Sequence, residues 1–228
     1  MTLTIVMPVL NEADRIAAAL DALQDYRARG VEVVVADGGS TDATCDRARD
    51  RADVVVDAPR GRASQMNAGA QAARGDVLLF LHADTALPDA ADRQVIDELA
   101  RTQRHWGRFD VAFDSGGLLR IVALMMNARS RLTAICTGDQ AMFMTRAAFD
   151  KAGGFPAIAL MEDIALSARL KRLGKPLCLK ARVTTSSRRW RDQGVIRTVL
   201  LMWRLRLAYY FGVDPAALAR AYGYGKTK

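Results

Sequence analysis

A histidine and an aspartate stand two residues apart at the end of an apolar run. Residues 77–81 are all apolar, and His82 and Asp84 follow them. Such an unbroken run predicts a strand covered on both faces, and ligands bind beyond the carboxyl ends of the strands in open α/β sheets. In an extended chain, residues two apart point to the same side. The pair could therefore offer an imidazole and a carboxylate to one ligand or metal ion, although an aspartate that only caps the next turn is the alternative.

Two adjacent carboxylates in the second half could carry acid–base chemistry. Glu162 and Asp163 precede a pattern of apolar residues at helical spacing. A positioned carboxylate can take a proton from a hydroxyl group, and repulsion between neighbouring acidic groups raises the pKa of one of them. The helix dipole also favours carboxylates at a helix start for structural reasons alone. From these residues alone, the structural interpretation is the stronger one.

Strands and helices alternate in the part of the chain that would position His82 and Asp84. Apolar runs at 3–9, 31–36 and 54–56 precede the run at 77–81, and helical patterns separate them. This order predicts a parallel sheet with right-handed crossovers. Because the carboxyl ends of parallel strands lie on one rim, the polar residues that follow them are expected to meet there.

The residues at or just after the ends of these runs are Pro8, Asn11, Glu12, Asp37 and Asp84. Asn11 is predicted to be the N-cap of the first helix, and Asp37 could either cap the glycine turn after it or bind a ligand. No glycine-rich turn follows the first strand, and no Walker pattern is present. These absences argue against NAD enzymes and P-loop ATPases.

Residues 106–228 show a different pattern. Alternating residues at 109–113 predict a half-exposed strand, and further strands are predicted at 140–145 and 177–183. Helices are predicted over 118–126 and 195–211, with a last one after the Asp214-Pro215 pair. No linker is visible, so one domain over 1–228 is expected, with a nucleotide-binding half at 1–105 and an acceptor half at 106–228.

Composition restricts the partners more than the function. The chain has 228 residues, a net charge of +8 and three cysteines without a ligand-pair spacing. It lacks the basic start of a signal peptide and any apolar run of the roughly 20 residues that span a bilayer, so a cytoplasmic location is expected. The positive charge favours acidic partners such as nucleotides, phosphates, anionic lipid or nucleic acid.

Five segments occur in the order typical of family 2 glycosyltransferases of the GT-A fold. They are IVMPVLNEADRI, VVVADGGSTDAT, RGRASQMNAGAQAARGDVLLFLHADT, TGDQAMF and MEDIALSARLKRLG. The chain resembles this family over nearly its whole length, which implies an α/β, Rossmann-like fold with a mostly parallel central sheet flanked by helices. The later segment SSRRW resembles a short bacterial subgroup, part of which is assigned to arsenosugar biosynthesis.

The resemblance implies a nucleotide-diphosphate sugar donor, with a UDP-sugar favoured and no nucleic-acid partner. The positions that match the donor pocket are Pro8, Asn11, Glu12, Asp37, Arg62, Asn67, His82 and Asp84. Asp84 matches the aspartate of the D-x-D motif that contacts a divalent metal, Mn²⁺ or Mg²⁺, whereas His82 replaces the first aspartate. Since one carboxylate plus diphosphate oxygens suffices for Mg²⁺, His82 is predicted beside the ribose or diphosphate, not as a tight metal ligand.

The resemblance also implies roles in the acceptor half. Asp163, next to Glu162, matches the general base of an inverting transfer to a hydroxyl acceptor. Residues that match the acceptor site are Gly138, Asp139, Gln140, Arg189 and Trp190. Arginine suits phosphate through its bidentate fork, although a surface arginine cluster beside a packed tryptophan is an equal alternative.

The sequence leaves open two other function classes, a nucleotidyltransferase and a non-catalytic binding protein. It also leaves open contact with a lipid surface and a lipid-linked acceptor. A nucleotidyltransferase would usually carry a glycine-rich phosphate loop near its N-terminus, and none is present. A non-catalytic nucleotide-sugar-binding or membrane-surface protein would not need both Asp84 and Asp163. Residues 118–126, flanked by arginines, are the better candidate for peripheral contact with a lipid surface, and the acceptor could then be lipid-linked.

The long helical candidate at 195–211 has a poor amphipathic pattern. Arg206 falls almost opposite Arg197 and Arg204 on a helical projection. This placement favours a packed helix or a homodimer contact over insertion into a membrane.

Overall fold

A computed structural model describes residues 1–223, and within them eight strands form one sheet. The strands are β1 (Leu3–Val9), β2 (Glu32–Asp37), β3 (Val54–Asp57), β4 (Val77–Phe80), β5 (Thr85–Ala86), β6 (Trp106–Phe113), β7 (Phe143–Thr145) and β8 (Leu177–Thr185). Their order across the sheet is β3-β2-β1-β4-β7-β6-β8-β5.

Helices cover the sheet and extend past its end. They are α1 (Ala13–Asp21), α2 (Gln24–Ala28), α3 (Thr44–Arg49), α4 (Arg62–Ala72), α5 (Ala91–Thr102), α6 (Leu118–Thr133), α7 (Arg146–Ala152), α8 (Glu162–Leu170), α9 (Arg188–Gln193), α10 (Val195–Tyr210) and α11 (Pro215–Tyr222). Short 3₁₀ helices span Gly138–Gln140 and Lys171–Leu173.

The alternating order predicted for the first half is confirmed. β1 pairs in parallel with β2 and with β4, and β2 pairs in parallel with β3. Successive residues of β1 serve opposite faces of the sheet: Ile5 belongs to one core cluster and Val6 to another. Both faces are therefore covered, which is why the strands are continuous apolar runs instead of alternating ones.

The second half adds a mixed set of strands to the same sheet. β7 lies between β4 and β6 and is antiparallel to both, whereas β8 is parallel to β6 and antiparallel to β5. The architecture is mixed α/β with flanking helices, as predicted. The parallel character is strongest at β1–β4, on the side of the sheet expected to bind a nucleotide.

Strand β6 differs from the half-exposed strand that its alternation predicts. Arg108 is fully buried and Asp110 is 8% exposed. These two side chains form an ion pair, and Arg131 binds the same carboxylate at 2.7 Å. Because the buried charges are paired, the polar positions of this strand can face the interior.

Two local predictions were wrong. Asn11 does not cap α1: its backbone is left-handed (φ 54°), and α1 begins at Ala13 with Glu12 at the N-cap. The strand predicted at 140–145 is confined to β7, because the 3₁₀ helix over Gly138–Gln140 interrupts it. The cap predicted at Asp214 is confirmed, since its carboxylate accepts a hydrogen bond from the Ala216 N–H at 3.0 Å.

Candidate functional site

Residues from both halves of the chain surround a cavity of about 440 Å³. It lies where the loops after β1 and β4 meet the start of α8 and helix α9. Its lining includes most of the side chains with predicted chemistry: Glu12, Arg62, His82, Asp84, Gly138, Asp139, Glu162, Asp163, Arg188, Arg189 and Trp190. Five predicted residues are absent from that lining, namely Pro8, Asn11, Asp37, Asn67 and Gln140.

His82 and Asp84 reach this cavity from a turn. The strand ends at Phe80, and the His82 carbonyl accepts a hydrogen bond from the Thr85 N–H at 3.0 Å. The expectation that both residues sit in an extended chain is therefore wrong, although both side chains still line the cavity. The exposed carboxylate of Asp84 lies in a polar wall and is open to a ligand.

The imidazole of His82 is held against the 3₁₀ helix. A Cβ atom added to Gly138 would lie 2.6 Å from the ring, so only glycine allows this close approach. Burial lowers the pKa of His82 to about 4, with Arg62 acting in the same direction. The ring is therefore neutral at pH 7 and can donate one hydrogen bond and accept another.

The carboxylate of Asp163 joins α8 to the 3₁₀ helix. Oδ2 accepts a hydrogen bond from the Gly138 N–H at 2.9 Å, and Oδ1 accepts one from the Ile164 N–H at 2.7 Å. Asp163 is the second residue of α8, where the helix dipole favours negative charge. Both the structural and the chemical interpretations of this residue therefore hold, because the contacts that anchor the helix also fix the carboxylate at the cavity wall.

Burial makes the acidic pair difficult to ionise. It raises the pKa of Glu162 to about 7, and the neighbouring Asp163 carboxylate adds to the shift. Burial also raises the pKa of Asp163, while the two backbone N–H donors and Arg62 oppose that shift. Both carboxyl groups therefore hold a proton more readily than an exposed carboxyl group does, and the two backbone N–H donors favour the anion of Asp163.

A second acidic group lies around Asp84. Asp139 has 44% of its side-chain surface exposed, yet its pKa is raised to about 6. The first cause is burial by the surrounding protein, and the second is repulsion from the Asp84 carboxylate. Asp84 also raises the pKa of Glu12, after the larger effect of burial. Arg62 lowers the pKa of both residues and is the cation that these carboxylates share.

The donor set around Asp84 fits a divalent cation that completes its shell with substrate oxygens. No group of three or more His, Cys, Asp or Glu side chains is preassembled for a metal ion within residues 1–223. The carboxylates of Glu12 and Asp139 lie close enough to Asp84 to be influenced by it. Hard divalent cations prefer such oxygen ligands. The mutual repulsion of Asp84, Asp139 and Glu12 would be relieved by a cation placed among them.

Two predicted residues on the rim of the parallel strands are satisfied by the protein itself. The carboxylate of Asp37 accepts hydrogen bonds from the Gly39 N–H at 3.0 Å, the Ser40 N–H at 2.8 Å and the Ser40 hydroxyl. The side-chain oxygen Oδ1 of Asn11 accepts one from the Thr41 N–H at 2.9 Å. These contacts give both residues a role in shaping the loops beside the cavity.

Asn67 and Gln140 also make hydrogen bonds within the protein. The Asn67 amide both donates to and accepts from the backbone of Phe155, at 2.8 and 2.9 Å. Gln140 is fully buried, and its amide forms the capping box with Thr137 and donates to Ser130. Pro8 lies within β1, opposite Ala36.

The basic-aromatic segment begins α9 and does reach the cavity. The Trp190 ring packs edge-to-face on Phe113 with centroids 5.4 Å apart. The Arg189 guanidinium lies 3.6 Å from the centroid of the Tyr222 ring and donates to the Tyr222 carbonyl at 3.1 Å. The side chains of Arg189 and Trp190 thus pack against the protein and also line the cavity, which is compatible with both alternatives.

The profile of glycosyl transferase family 2 matches residues 4–151. The chain belongs to this family. The match spans β1 to α7 and therefore includes the turn that carries Asp84 and the 3₁₀ helix that holds Asp139.

Among curated family members, a PGL/p-HBAD biosynthesis glycosyltransferase of Mycobacterium bovis is 35% identical to this chain over 114 residues. That alignment covers 47% of this chain and 42% of the relative. The chain therefore aligns with less than half the length of the curated relatives that it matches.

Solved structures of glycosyltransferases share the fold at low identity. S. aureus TarS 1-349 in complex with UDP-GlcNAc superposes with a TM-score of 0.66 and 18% identity, covering 82% of this chain and 58% of that one. The mannosyltransferase PcManGT from Pyrobaculum calidifontis, in complex with GDP-Man and Mn²⁺, gives 0.64 and 22% over 97% and 69%. A glucosyl-3-phosphoglycerate synthase from Mycobacterium tuberculosis with Mn²⁺ and UDP gives 0.58 and 20% over 81% and 70%.

Two arginines at this family 2 site were not among the predicted site residues. Arg206 of α10 lines the cavity, and Arg129 of α6 lies close enough to Asp163 and Asp139 to be influenced by both. The signal for Arg206 was present in the sequence, because its position opposite Arg197 and Arg204 turns it toward the protein. Arg129 gave no comparable signal, since its environment depends on how α6 packs.

The described helices also bear on membrane contact. Within residues 1–223, none combines the length and apolar character needed to cross a bilayer.

Proposed function

We propose that this chain transfers a sugar, with inversion, from a nucleotide-diphosphate sugar to a hydroxyl acceptor. The observation that carries the proposal is the single cavity that contains Asp84, Asp163 and the arginines of α9. A carboxylate open to a diphosphate and a second carboxylate fixed by backbone donors are the two groups that such a transfer needs. A non-catalytic binding protein would not need Asp163 at the cavity wall.

The chemical step assigns one role to each carboxylate. The acceptor oxygen attacks the anomeric carbon as the bond from that carbon to the diphosphate breaks, and Asp163 takes the hydroxyl proton. The nucleoside diphosphate leaves with the bonding electron pair. Glu162, whose pKa is raised to about 7 by burial, can hold a proton and so keep a second negative charge away from the base. The arginines at 188 and 189 offset charge on the leaving diphosphate.

Asp84 is the residue proposed to hold a divalent cation, Mn²⁺ or Mg²⁺, together with the diphosphate. Such a cation would neutralise the charge that develops on the leaving group. Among the structural neighbours, PcManGT and the phosphoglycerate synthase contain Mn²⁺ with a nucleotide. His82, neutral at pH 7, is proposed to form a hydrogen bond with the ribose or phosphate.

Uracil is the proposed base of the donor nucleotide. The identities of the donor sugar and the acceptor stay open. TarS and the phosphoglycerate synthase were solved with uridine nucleotides, whereas PcManGT was solved with GDP-Man. Asp37, one of the residues predicted to line the donor pocket, is 3% exposed. Its carboxylate already accepts hydrogen bonds from its own turn. Membership of the arsenosugar-linked subgroup stays a prediction from the SSRRW segment, as do the single-domain organisation, the homodimer and the cytoplasmic or peripheral membrane location.

Calorimetry of UDP binding with and without Mn²⁺ tests the donor half of the proposal. UDP is expected to bind more tightly with Mn²⁺ present, and GDP to bind more weakly than UDP. Equal UDP affinity in both conditions would remove the role of the metal. Tighter binding of GDP would replace uridine by guanosine without changing the mechanism.

A further inference from the structure

Large apolar side chains are exposed along two helices beside the cavity. On α6 they are Leu118, Ile121, Leu124, Met125 and Leu132, with 46–87% of each residue exposed. On α10 they are Ile196, Leu200, Trp203, Leu207 and Tyr210, with 58–82% exposed. Exposed apolar patches rimmed by polar residues mark binding surfaces.

Helix α10 is apolar on two sides. Leu205 packs inward against Leu160 and Leu218, in a cluster that fixes α10 to α11. Outward, Ile196, Leu200, Trp203 and Leu207 follow a helical spacing of four, three and four residues and are all exposed. The sequence predicted a packed helix, and one face of α10 is packed. A second apolar face of the same helix is exposed to solvent.

A groove of about 220 Å³ runs between α6 and α10. Its apolar lining consists of Val122, Met125, Met126, Val199, Met202 and Trp203. Asp139, Trp190, Met202 and Arg206 line both this groove and the catalytic cavity. The groove is therefore continuous with the proposed acceptor side of the site, and its methionines can adapt to a flexible apolar chain.

Two arginines, Arg129 and Arg206, line the groove, and Arg206 also lines the cavity. Within the described residues, Nε and Nη2 of Arg129 are buried without a hydrogen-bond partner. A buried donor that stays unsatisfied is costly, and more so when it belongs to a charged group. An anionic group placed beside these arginines would satisfy the free donors of Arg129.

The geometry points to an amphiphilic acceptor whose apolar chain lies in the groove between α6 and α10 and whose anionic head meets Arg129 and Arg206. This inference rests on the proposed transferase function and gives its acceptor a chemical class. Asp139 lines both the groove and the cavity that contains Asp163, so the two are joined at this residue. With the apolar chain in the groove, the head group points toward Asp163, and the reacting hydroxyl would therefore belong to the head group.

Calorimetry with n-butyl, n-hexyl and n-octyl phosphate, each below its critical micelle concentration, tests the inference. Affinity is expected to rise roughly three- to fourfold for each added methylene group, and inorganic phosphate to bind far more weakly than n-octyl phosphate. A neutral probe, n-octyl glucoside, is expected to bind more weakly than n-octyl phosphate. Arg129→Gln should remove that preference for the phosphate.

A matched pair of variants locates the chain. Met125→Asp places a carboxylate in the groove, whereas Leu132→Asp places one on the same helix at a residue that is 87% exposed and outside the groove lining. Only Met125→Asp is expected to lower the affinity for n-octyl phosphate, by about tenfold or more. Thermal unfolding of both variants, measured in parallel, reports any folding defect.

Three results would overturn the inference. Affinity that does not depend on chain length would show that the apolar chain is not bound in the groove. Affinity that falls equally in both variants would indicate a general surface such as a membrane contact. A dimer in sedimentation that dissociates on Met125→Asp, with no binding of n-octyl phosphate, would indicate a second copy of the chain. UDP titrations of the same preparation separate the two proposals. If the unmodified chain binds n-octyl phosphate but not UDP, the proposed nucleotide donor is wrong. If it binds UDP but not n-octyl phosphate, the proposed acceptor groove is wrong.

Discussion

The loop after β2 and the start of α8 differ in how their polar side chains are satisfied. On the rim of the parallel strands, Asp37 accepts hydrogen bonds from its own turn, and Asn11 accepts one from the loop after β2. At the start of α8, Glu162 and Asp163 are buried side by side, and the pKa of each is raised. The loop after β2 is hydrogen-bonded within the protein, whereas the start of α8 holds buried carboxyl groups whose ionised forms are disfavoured.

This difference separates scaffold from chemistry. Polar groups that satisfy one another hold a loop in place, which is what a preformed nucleotide site needs. Buried ionisable groups with raised pKa values are costly and are concentrated at functional sites. The loops of the first half are therefore expected to tolerate loss of ligand, and substitutions at α8 are expected to change activity and stability together.

The largest effect is expected for Asp163→Asn. Loss of a general base typically costs about 10²- to 10⁴-fold in turnover, while UDP affinity should stay within a few-fold because the diphosphate is held elsewhere. Steady-state transfer kinetics and UDP calorimetry measure the two quantities on one preparation. Asp150→Asn, at an exposed position on α7, is the matched control and should leave turnover unchanged. Transfer at the normal rate in Asp163→Asn would show that another group takes the proton.

Stability should respond to Glu162→Gln in a pH-dependent way. The folded pKa of about 7 exceeds the ordinary 4.5, so the folded state holds this proton more tightly than the unfolded state does. The stability that this provides is present below pH 4.5 and is lost as pH rises through 7. At pH 8 the variant is therefore expected to be more stable by about 1–3 kcal/mol, and at pH 4 by little.

Thermal unfolding at the two pH values measures this difference. Glu98→Gln is the control with the opposite sign, because the hydrogen bond from Arg101 lowers the pKa of Glu98. An equal change in stability at pH 4 and pH 8 for Glu162→Gln would indicate a packing effect instead of a proton effect.

The first half was largely predictable because its information is local. Apolar runs, turn residues and the alternation with helices gave the order and direction of β1 to β4, and the end of β4 located Asp84. The identity of the cavity's acidic residues was also recoverable, since the motif order placed Asp139 and Asp163 in the second half. These predictions needed no knowledge of tertiary packing.

The second half was less predictable because its contacts are distant in sequence. Nothing local indicates that β7 inserts between β4 and β6, or that Asn67 binds the backbone of Phe155, 88 residues away. The burial of Arg108 beside Asp110 likewise depends on Arg131 from α6. Alternation suggested exposure for these charges, and ion pairing reversed it.

A smaller effect is expected for Asp84→Asn. The amide keeps the size of the side chain but removes the charge that would bind a divalent cation, so UDP affinity with Mn²⁺ should fall about tenfold. Affinity without Mn²⁺ should change little or rise slightly, because Asp84 repels the diphosphate when no cation is present. Titrations in both conditions measure this, and an equal loss in both would place Asp84 at the nucleotide instead of the metal.

The smallest effect is expected for His82→Ala. A neutral imidazole contributes one hydrogen bond, which corresponds to roughly three- to tenfold in UDP affinity. The dependence on Mn²⁺ should be unchanged, because His82 is not expected to coordinate the cation. If the variant loses its response to Mn²⁺, the histidine is a metal ligand and the assignment to Asp84 alone is wrong.

A crystal structure with UDP and Mn²⁺ tests most directly whether the two carboxylates serve opposite ends of the reaction. The expected result is a cation bound by the Asp84 carboxylate and by diphosphate oxygens, with His82 beside the ribose or phosphate. Asp163 should remain bound to the Gly138 N–H and make no contact with the metal or the diphosphate. Nucleotide outside this cavity, or a cation coordinated by Asp163 or by a His82 nitrogen, would contradict the assignment.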